Sequence, residues 1–105
     1  MNFEISPREL KTSLENQEPL ILLDVRQPEE FAFANIGGTL IPLGDLPGRL
    51  AELAPEHWIV VYCHHGIRSA RAVEFLRQMG YPKAQNLAGG IERWSTEIDP
   101  SLPRY

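Results

Sequence analysis

Two continuous apolar runs constrain the fold of this chain more than any other feature. Residues 20–23 read Leu-Ile-Leu-Leu and residues 58–62 read Trp-Ile-Val-Val-Tyr, with no charged residue in either run. A strand with one face in water alternates apolar and polar residues, whereas a strand buried on both faces is apolar throughout. Both runs are therefore predicted to be central strands of a parallel sheet that helices cover on both sides.

Helix signals alternate with these strands along the chain. Ser6, Pro7 and Glu9 supply an N-cap, a first-turn proline and a capping-box glutamate, which together predict a helix over residues 7–14. Start signals or helical spacing of apolar residues predict further helices from about residues 28, 45, 69 and 91. Short strands are predicted at residues 39–41 and 84–87. Strands and helices that alternate at this spacing form parallel βαβ units, so we expect an α/β fold with an open sheet.

Length and composition predict one globular domain that spans residues 1–105. The chain is 43% hydrophobic and 23% charged, close to the average soluble protein. Its formal net charge of -4 gives no general attraction to nucleic acid or anionic membranes, so neither is an expected partner. No apolar run approaches the roughly 18 residues of a membrane span, and the first ten residues do not resemble a secretory signal. We therefore expect a cytoplasmic protein.

Cys63 is the single cysteine, and it stands between a predicted strand and a helix start. It cannot form a disulfide within the chain, and no standard metal-ligand spacing surrounds it. Amides at a helix start lack intrahelical partners and favour negative charge on a nearby group, while Arg68 adds a full positive charge five residues on. Cys63 is therefore a candidate nucleophile, although its position alone equally fits a small buried apolar residue.

The residues that follow Cys63 are further candidates. His64 and His65 could line the loop or assist proton transfer. Because adjacent side chains are expected to point apart, the two histidines are not expected to share one metal. Gly66 would permit a positive φ or a close backbone approach, as a loop that curls its amides around one sulfur requires. An ordinary turn glycine is the alternative.

The segment from Cys63 to Ser69, Cys-His-His-Gly-Ile-Arg-Ser, resembles the active-site loop of the rhodanese-like family, whose common form is Cys-x-x-Gly-x-Arg followed by Ser or Thr. Three further segments resemble other motifs of the family, in the same order: residues 24–31, 41–43 and 86–94. Two segments depart from the family pattern: residues 34–36 read Ala-Asn-Ile in place of Gly-His-Ile, and residues 38–42 are one residue shorter than usual. Four motifs in order cover nearly the whole chain, so the resemblance is specific.

The resemblance implies a rhodanese-like α/β fold, with an open parallel five-stranded sheet and helices on both faces. It implies a thiosulfate sulfurtransferase, in which Cys63 takes sulfane sulfur from thiosulfate or a persulfide donor and passes it to cyanide, a thiol or an acceptor protein. The persulfide would be held by the substrate-binding loop of His64, His65, Gly66, Ile67, Arg68 and Ser69. Arg68 would help bind the anionic donor, and Ser69 could instead cap the next helix. No metal or organic cofactor is required for this covalent mechanism.

Two charged residues and the tail extend this hypothesis. Asp24 and Arg26 lie at a neighbouring strand end and are interpreted as structural support, with substrate contact as the alternative. Residues 94–95 and 97–105 resemble the ends of rhodanese domains that are fused to adenylating enzymes, which load sulfur-carrier proteins. A sulfur-carrier or cysteine-desulfurase protein is therefore a predicted partner, beside a small anionic donor such as thiosulfate.

Two other functions stay open at this point. Cysteine phosphatases and arsenate reductases also hold a thiolate in an anion-binding loop, but five residues separate their cysteine from the arginine, and here four residues separate Cys63 from Arg68. The tighter loop suits a sulfur atom better than a tetrahedral phosphate. A non-catalytic binding or sulfur-relay module is the second alternative, because a fold does not determine function.

Overall fold

The computed structural model describes all 105 residues, and a parallel sheet forms its centre. The five strands are β1 (Glu4–Ile5), β2 (Leu20–Asp24), β3 (Thr39–Leu40), β4 (Trp58–Tyr62) and β5 (Ala84–Leu87). Their order across the sheet is β1-β5-β4-β2-β3, and every neighbouring pair is parallel. The two apolar runs therefore lie side by side in the interior of the sheet. The predicted fold class is confirmed.

Helices cover both faces of the sheet. They are α1 (Pro7–Glu15), α2 (Pro28–Phe33), a 3-10 helix (Leu43–Glu52), α3 (Ile67–Gln78) and α4 (Gly90–Glu97). Alternate side chains of β4 enter two different cores: Ile59 and Val61 join the core with α3 and the 3-10 helix, whereas Val60 and Tyr62 join the core with α1 and α4. Burial on both faces explains why the run has no polar position. None of the helices combines the length and the apolar character that crossing a membrane requires.

Three elements differ from the predictions. Strand β1 was not predicted, because two residues that pair with Asn86 and Leu87 carry no periodicity of their own. The predicted third helix is a 3-10 helix, since Pro47 lacks the N–H that a continuous α-helix needs. Helix α3 begins at Ile67, two residues before the predicted start, so it includes the end of the cysteine loop.

The two departures from the family pattern are accommodated locally. Asn35 donates a hydrogen bond to the carbonyl oxygen of Phe31 at 3.0 Å and accepts one from the N–H of Gly37 at 2.8 Å, which closes the turn after α2. The shorter segment still leads into β3, whose Thr39 and Leu40 pair in parallel register with the end of β2.

Candidate active site around Cys63

Cys63 lies at the carboxyl edge of the sheet, directly after β4, where open parallel sheets bind ligands. The residue is only 1% exposed. Three groups donate hydrogen bonds to its Sγ: the N–H of Gly66 at 3.1 Å, the N–H of Ser69 at 3.3 Å and the hydroxyl of Ser69 at 3.2 Å. Donors that converge on one atom stabilise negative charge there. The loop therefore offers three donors that can stabilise negative charge on this sulfur.

The backbone of the loop depends on Gly66. Its φ is 97°, in the left-handed region that favours glycine, and it is the N-cap residue of α3. Ser69 is thus the third residue of the helix, and its amide belongs to the first turn, where amides have no intrahelical partner. The alternative that Ser69 caps the next helix is wrong, because Gly66 occupies the cap position and the Ser69 hydroxyl points to the sulfur.

The start of α4 holds one side of the loop through the backbone. The N–H of Ile91 donates to the carbonyl oxygen of Cys63 at 2.9 Å, and the N–H of Glu92 donates to that of His64 at 3.0 Å. Gly90 permits this contact, since a Cβ on it would lie 2.4 Å from the His64 oxygen. Asn86 adds a side-chain bond, from Nδ2 to the carbonyl oxygen of Gly66 at 3.1 Å. This side of the loop is closely fitted.

Arg68 makes no hydrogen bond to the sulfur and pairs with Glu30 of α2. Its Nη1 and Nη2 donate to the two carboxylate oxygens of Glu30 at 2.8 and 3.0 Å. The bond from Arg68 lowers the pKa of Glu30 to about 2, with further help from the backbone of Gln27 and the hydroxyl of Tyr105. The Arg68 side chain remains 37% exposed, so its positive charge is still accessible to an anionic ligand.

His64 and His65 do not point apart as expected. Their rings are stacked, with centroids 3.9 Å apart, because the loop bend replaces the alternation of a strand. Burial, followed by the neighbouring His65, lowers the pKa of His64, and its buried Nε2 has no hydrogen-bond partner, although Oε1 of Glu92 is 3.6 Å away. Neither ring hydrogen-bonds to Cys63. No group of three or more metal-ligating side chains is present.

Asp24 and Arg26 form a fully buried ion pair, with Nη2 of Arg26 2.8 Å from Oδ2 of Asp24. Arg26 also donates to the carbonyl oxygen of Ala34 and to the hydroxyl of Tyr105, both at 2.7 Å. Burial by itself would lower the pKa of Arg26, but the bonds to Asp24 and Tyr105 outweigh it and the pKa is raised. The pair makes no direct bond to the cysteine loop, which favours the interpretation as structural support.

Residues that the sequence analysis did not select complete the site. Glu30 and Tyr105 reach the loop from distant parts of the chain, and Asn86 and Gly90 lie in a motif whose contacts could not be inferred from order alone. The paired glycines at residues 89–90 were the available signal for a close approach. Nothing in the local sequence indicates the partner of Glu30.

Comparisons with known proteins agree with this geometry. The family model described as Rhodanese-like domain matches residues 6–97. A sulfurtransferase of Allochromatium vinosum is 37% identical over 93 residues, which cover 88% of this chain and 87% of that protein. The probable adenylyltransferase/sulfurtransferase MoeZ of Mycobacterium tuberculosis is 38% identical over 96% of this chain, but the match spans only 26% of MoeZ.

Solved structures show the same fold. A rhodanese-like domain protein of Staphylococcus aureus superposes with a TM-score of 0.84 at 31% identity, and the match covers 99% of both chains. The human single-domain sulfurtransferase TSTD1 superposes with a TM-score of 0.81 at 29% identity, over 92% of this chain and 98% of that one. The similarity therefore extends across the sheet and the loop at its carboxyl edge.

Proposed function

The chain belongs to the rhodanese-like domain family, and we propose that it carries sulfane sulfur as a persulfide on Cys63. Its relatives support sulfurtransferase activity in general terms. The proposed donor is thiosulfate or a persulfide, and the proposed acceptor is cyanide, a thiol or an acceptor protein. This is covalent catalysis in two steps and requires no metal or organic cofactor.

One observation carries the proposal. The N–H of Gly66, the N–H of Ser69 and the hydroxyl of Ser69 all donate to Sγ of Cys63 within 3.3 Å. An ordinary buried cysteine behaves as a small apolar residue and needs no such donors. A cysteine that alternates between thiolate and persulfide carries negative charge in both states, and preorganised donors stabilise that charge.

The chemistry balances without a further reactant. The Cys63 thiolate attacks the outer sulfur of thiosulfate, a new S–S bond forms, and the old S–S bond breaks with its electron pair leaving on sulfite. An acceptor thiolate or cyanide then attacks the outer sulfur of the persulfide. The second S–S bond breaks toward Cys63, which returns as the thiolate. Arg68, whose side chain is partly exposed, would attract the anionic donor through its positive charge.

A protein partner is part of the proposal. The chain corresponds to about a quarter of several adenylyltransferase and sulfurtransferase relatives, and a putative sulfur carrier protein of Bacillus subtilis is 37% identical over 91% of the chain. These relatives support a place in a sulfur relay, with a sulfur-carrier or cysteine-desulfurase protein as partner. The cytoplasmic location stays a prediction.

Intact-mass spectrometry after incubation with thiosulfate tests the function directly. The wild-type protein is expected to gain one sulfur, about 32 Da, and the Cys63→Ala variant is expected to gain none. Equal gain by both proteins, or no gain by wild type, would contradict the proposal. Release of phosphate from an aryl phosphate, without thiocyanate formation from thiosulfate and cyanide, would indicate a cysteine phosphatase instead.

Two serine substitutions provide a sharper test of the donors around Sγ. Ser69→Ala removes the hydroxyl that donates to Cys63, and the rate of sulfur uptake is expected to fall about tenfold, as for loss of one preorganised donor to a charged atom. Ser13→Ala is the matched control, because Ser13 is also buried but lies on α1. It is expected to load sulfur at the wild-type rate.

A further inference from the structure

The tail, residues 98–105, turns back toward the cysteine loop after α4. The carbonyl oxygen of Asp99 accepts a bond from the N–H of Leu102, and Leu102 packs against the core between the sheet, α1 and α4. Arg104 then bonds to Glu92 on the first turn of α4. These contacts place Tyr105 in the gap between α2 and the loop.

Tyr105 contacts both sides of that gap. Its ring stacks on His64, with centroids 3.9 Å apart and planes within 13°, and meets Phe33 of α2 edge-on at 5.8 Å. Its hydroxyl donates to Glu30 at 2.8 Å and accepts from the buried Arg26 at 2.7 Å. One stacked ring, one edge-on ring and two hydrogen bonds hold this side chain in place, although it is 44% exposed.

Exposed apolar side chains lie beside the cysteine loop, next to the ion pairs Glu30–Arg68 and Glu92–Arg104. Five large hydrophobic side chains are exposed, and three of them lie in or near the loop: Ile67, Tyr105, which stacks on His64, and Phe33, which contacts Tyr105. Phe33 and Tyr105 stand on the α2 side, and Ile67 lies in the loop itself. Cys63 is almost fully buried, so an acceptor that approaches its sulfur from the α2 side meets Tyr105 and Phe33.

We propose that Tyr105 is a specificity-determining residue, which closes the α2 side of the cysteine loop and limits the size of the acceptor that reaches the Cys63 persulfide. The inference rests on the proposed function. Discharge requires attack on the outer persulfide sulfur along the S–S axis, so the acceptor and its substituents need space in front of the loop. A linear two-atom nucleophile such as cyanide needs little of that space, whereas a peptide thiol needs more.

The test compares two acceptors on the same persulfidated protein. Cyanide takes the outer sulfur as thiocyanate, and glutathione takes it as glutathione persulfide; both steps return the Cys63 thiolate. Loss of the added sulfur is followed by intact mass, and the ratio of the glutathione rate constant to the cyanide rate constant is calculated for each variant. The thiolate fraction of glutathione is the same in every assay, and both rate constants are measured on the same persulfidated variant, so neither the thiolate fraction nor the persulfide yield affects the comparison.

Tyr105→Ala opens the gap and is expected to raise this ratio about fivefold, or about 1 kcal/mol in relative barrier. Tyr105→Phe keeps the ring and is expected to leave the ratio within about twofold of wild type. Met79→Ala is the control, because it truncates another exposed apolar side chain at the far end of α3. It should leave the ratio unchanged.

The outcomes separate the two proposals. Sulfur uptake by wild type with no change of the ratio in Tyr105→Ala would overturn the role of Tyr105 and leave the sulfurtransferase function standing. An equal shift in Tyr105→Phe and Tyr105→Ala would also overturn it, because the hydroxyl and not the bulk of the ring would then set the preference. Failure of wild type to form a persulfide would overturn both proposals.

Discussion

The two sides of the Cys63 loop are held by different kinds of contact. On the α4 side, backbone meets backbone: Ile91 and Glu92 donate to the carbonyl oxygens of Cys63 and His64, and Gly90 leaves no room for a side chain. On the α2 side, side chains meet side chains, through the Glu30–Arg68 pair and the Tyr105 hydroxyl. The first side is buried, and the second is partly open to water.

This difference separates the positioning of the sulfur from access to it. Backbone contacts have no rotamers to rearrange, so the α4 side can hold the loop in one conformation during both steps of the proposed reaction. Partly exposed side chains can adjust to a ligand at modest cost, because surface ion pairs contribute little free energy. The α4 side is therefore expected to tolerate almost no substitution. Substitutions on the α2 side are expected to change the preference between acceptors more than the stability of the fold.

Gly90→Ala is the strongest test of the closely fitted side. Gly90 has a φ of 64°, and the added Cβ would lie 2.4 Å from the carbonyl oxygen of His64, so the loop or α4 must shift. The expected loss in free energy of unfolding is about 3 kcal/mol, measured by urea denaturation. Sulfur uptake by the folded fraction should fall with it.

Gly44→Ala is the matched control for that substitution. Gly44 lies in the 3-10 helix, its φ is not positive, and no atom stands within 4 Å of an added Cβ. The free energy of unfolding is expected to stay within about 1 kcal/mol of wild type. A similar loss in both variants would contradict the difference between the two sides.

Asn86→Asp tests the side-chain bond on the same closely fitted side. The substitution replaces the Nδ2 donor by a carboxylate oxygen that faces the carbonyl oxygen of Gly66 and the carboxylate of Glu4. The new oxygen then faces other hydrogen-bond acceptors in a buried site. The free energy of unfolding, measured by urea denaturation, is expected to fall by about 2 kcal/mol. The exposed Asn2→Asp is the control and should cost less than about 0.5 kcal/mol. Equal costs would show that Asn86 does not hold the loop.

Glu30→Gln gives the smallest expected effect and tests the open side. The folded-state pKa of Glu30 is lowered to about 2, so its ion pair stabilises the fold above the unfolded carboxyl pKa, and this contribution is lost as the pH falls toward 2. Glu30→Gln should lower the free energy of unfolding by about 1 kcal/mol at pH 7. The effect is small because the ion pair is partly solvated. The difference from wild type should disappear between about pH 4.3 and pH 2.

Urea midpoints across this pH range provide the measurement for Glu30. The control is Glu29→Gln, an exposed neighbour on α2, which should stay within about 0.5 kcal/mol of wild type throughout. A difference between wild type and Glu30→Gln that persists at pH 2 would mean that the ion pair is not its source.

The parts of the fold that could be predicted are those that local rules control. The runs at residues 20–23 and 58–62 predicted two central strands. The first run lies in β2 and the second forms β4. Ser6 and Glu9 predicted the start of α1, where the capping box is present. Strand β1 could not be predicted, because its two residues become a strand only by pairing with β5.

Within the site, the sequence by itself determined the groups nearest the sulfur. Cys63, Gly66 and Ser69 are close along the chain, so a strand end followed by a helix start is enough to direct amides at one atom. Tertiary structure alone decided that Glu30 meets Arg68, 38 residues away, and that Tyr105 meets Arg26, 79 residues away. Local preferences act over a few residues, whereas such partners are chosen by the packing of the sheet, α2 and the tail.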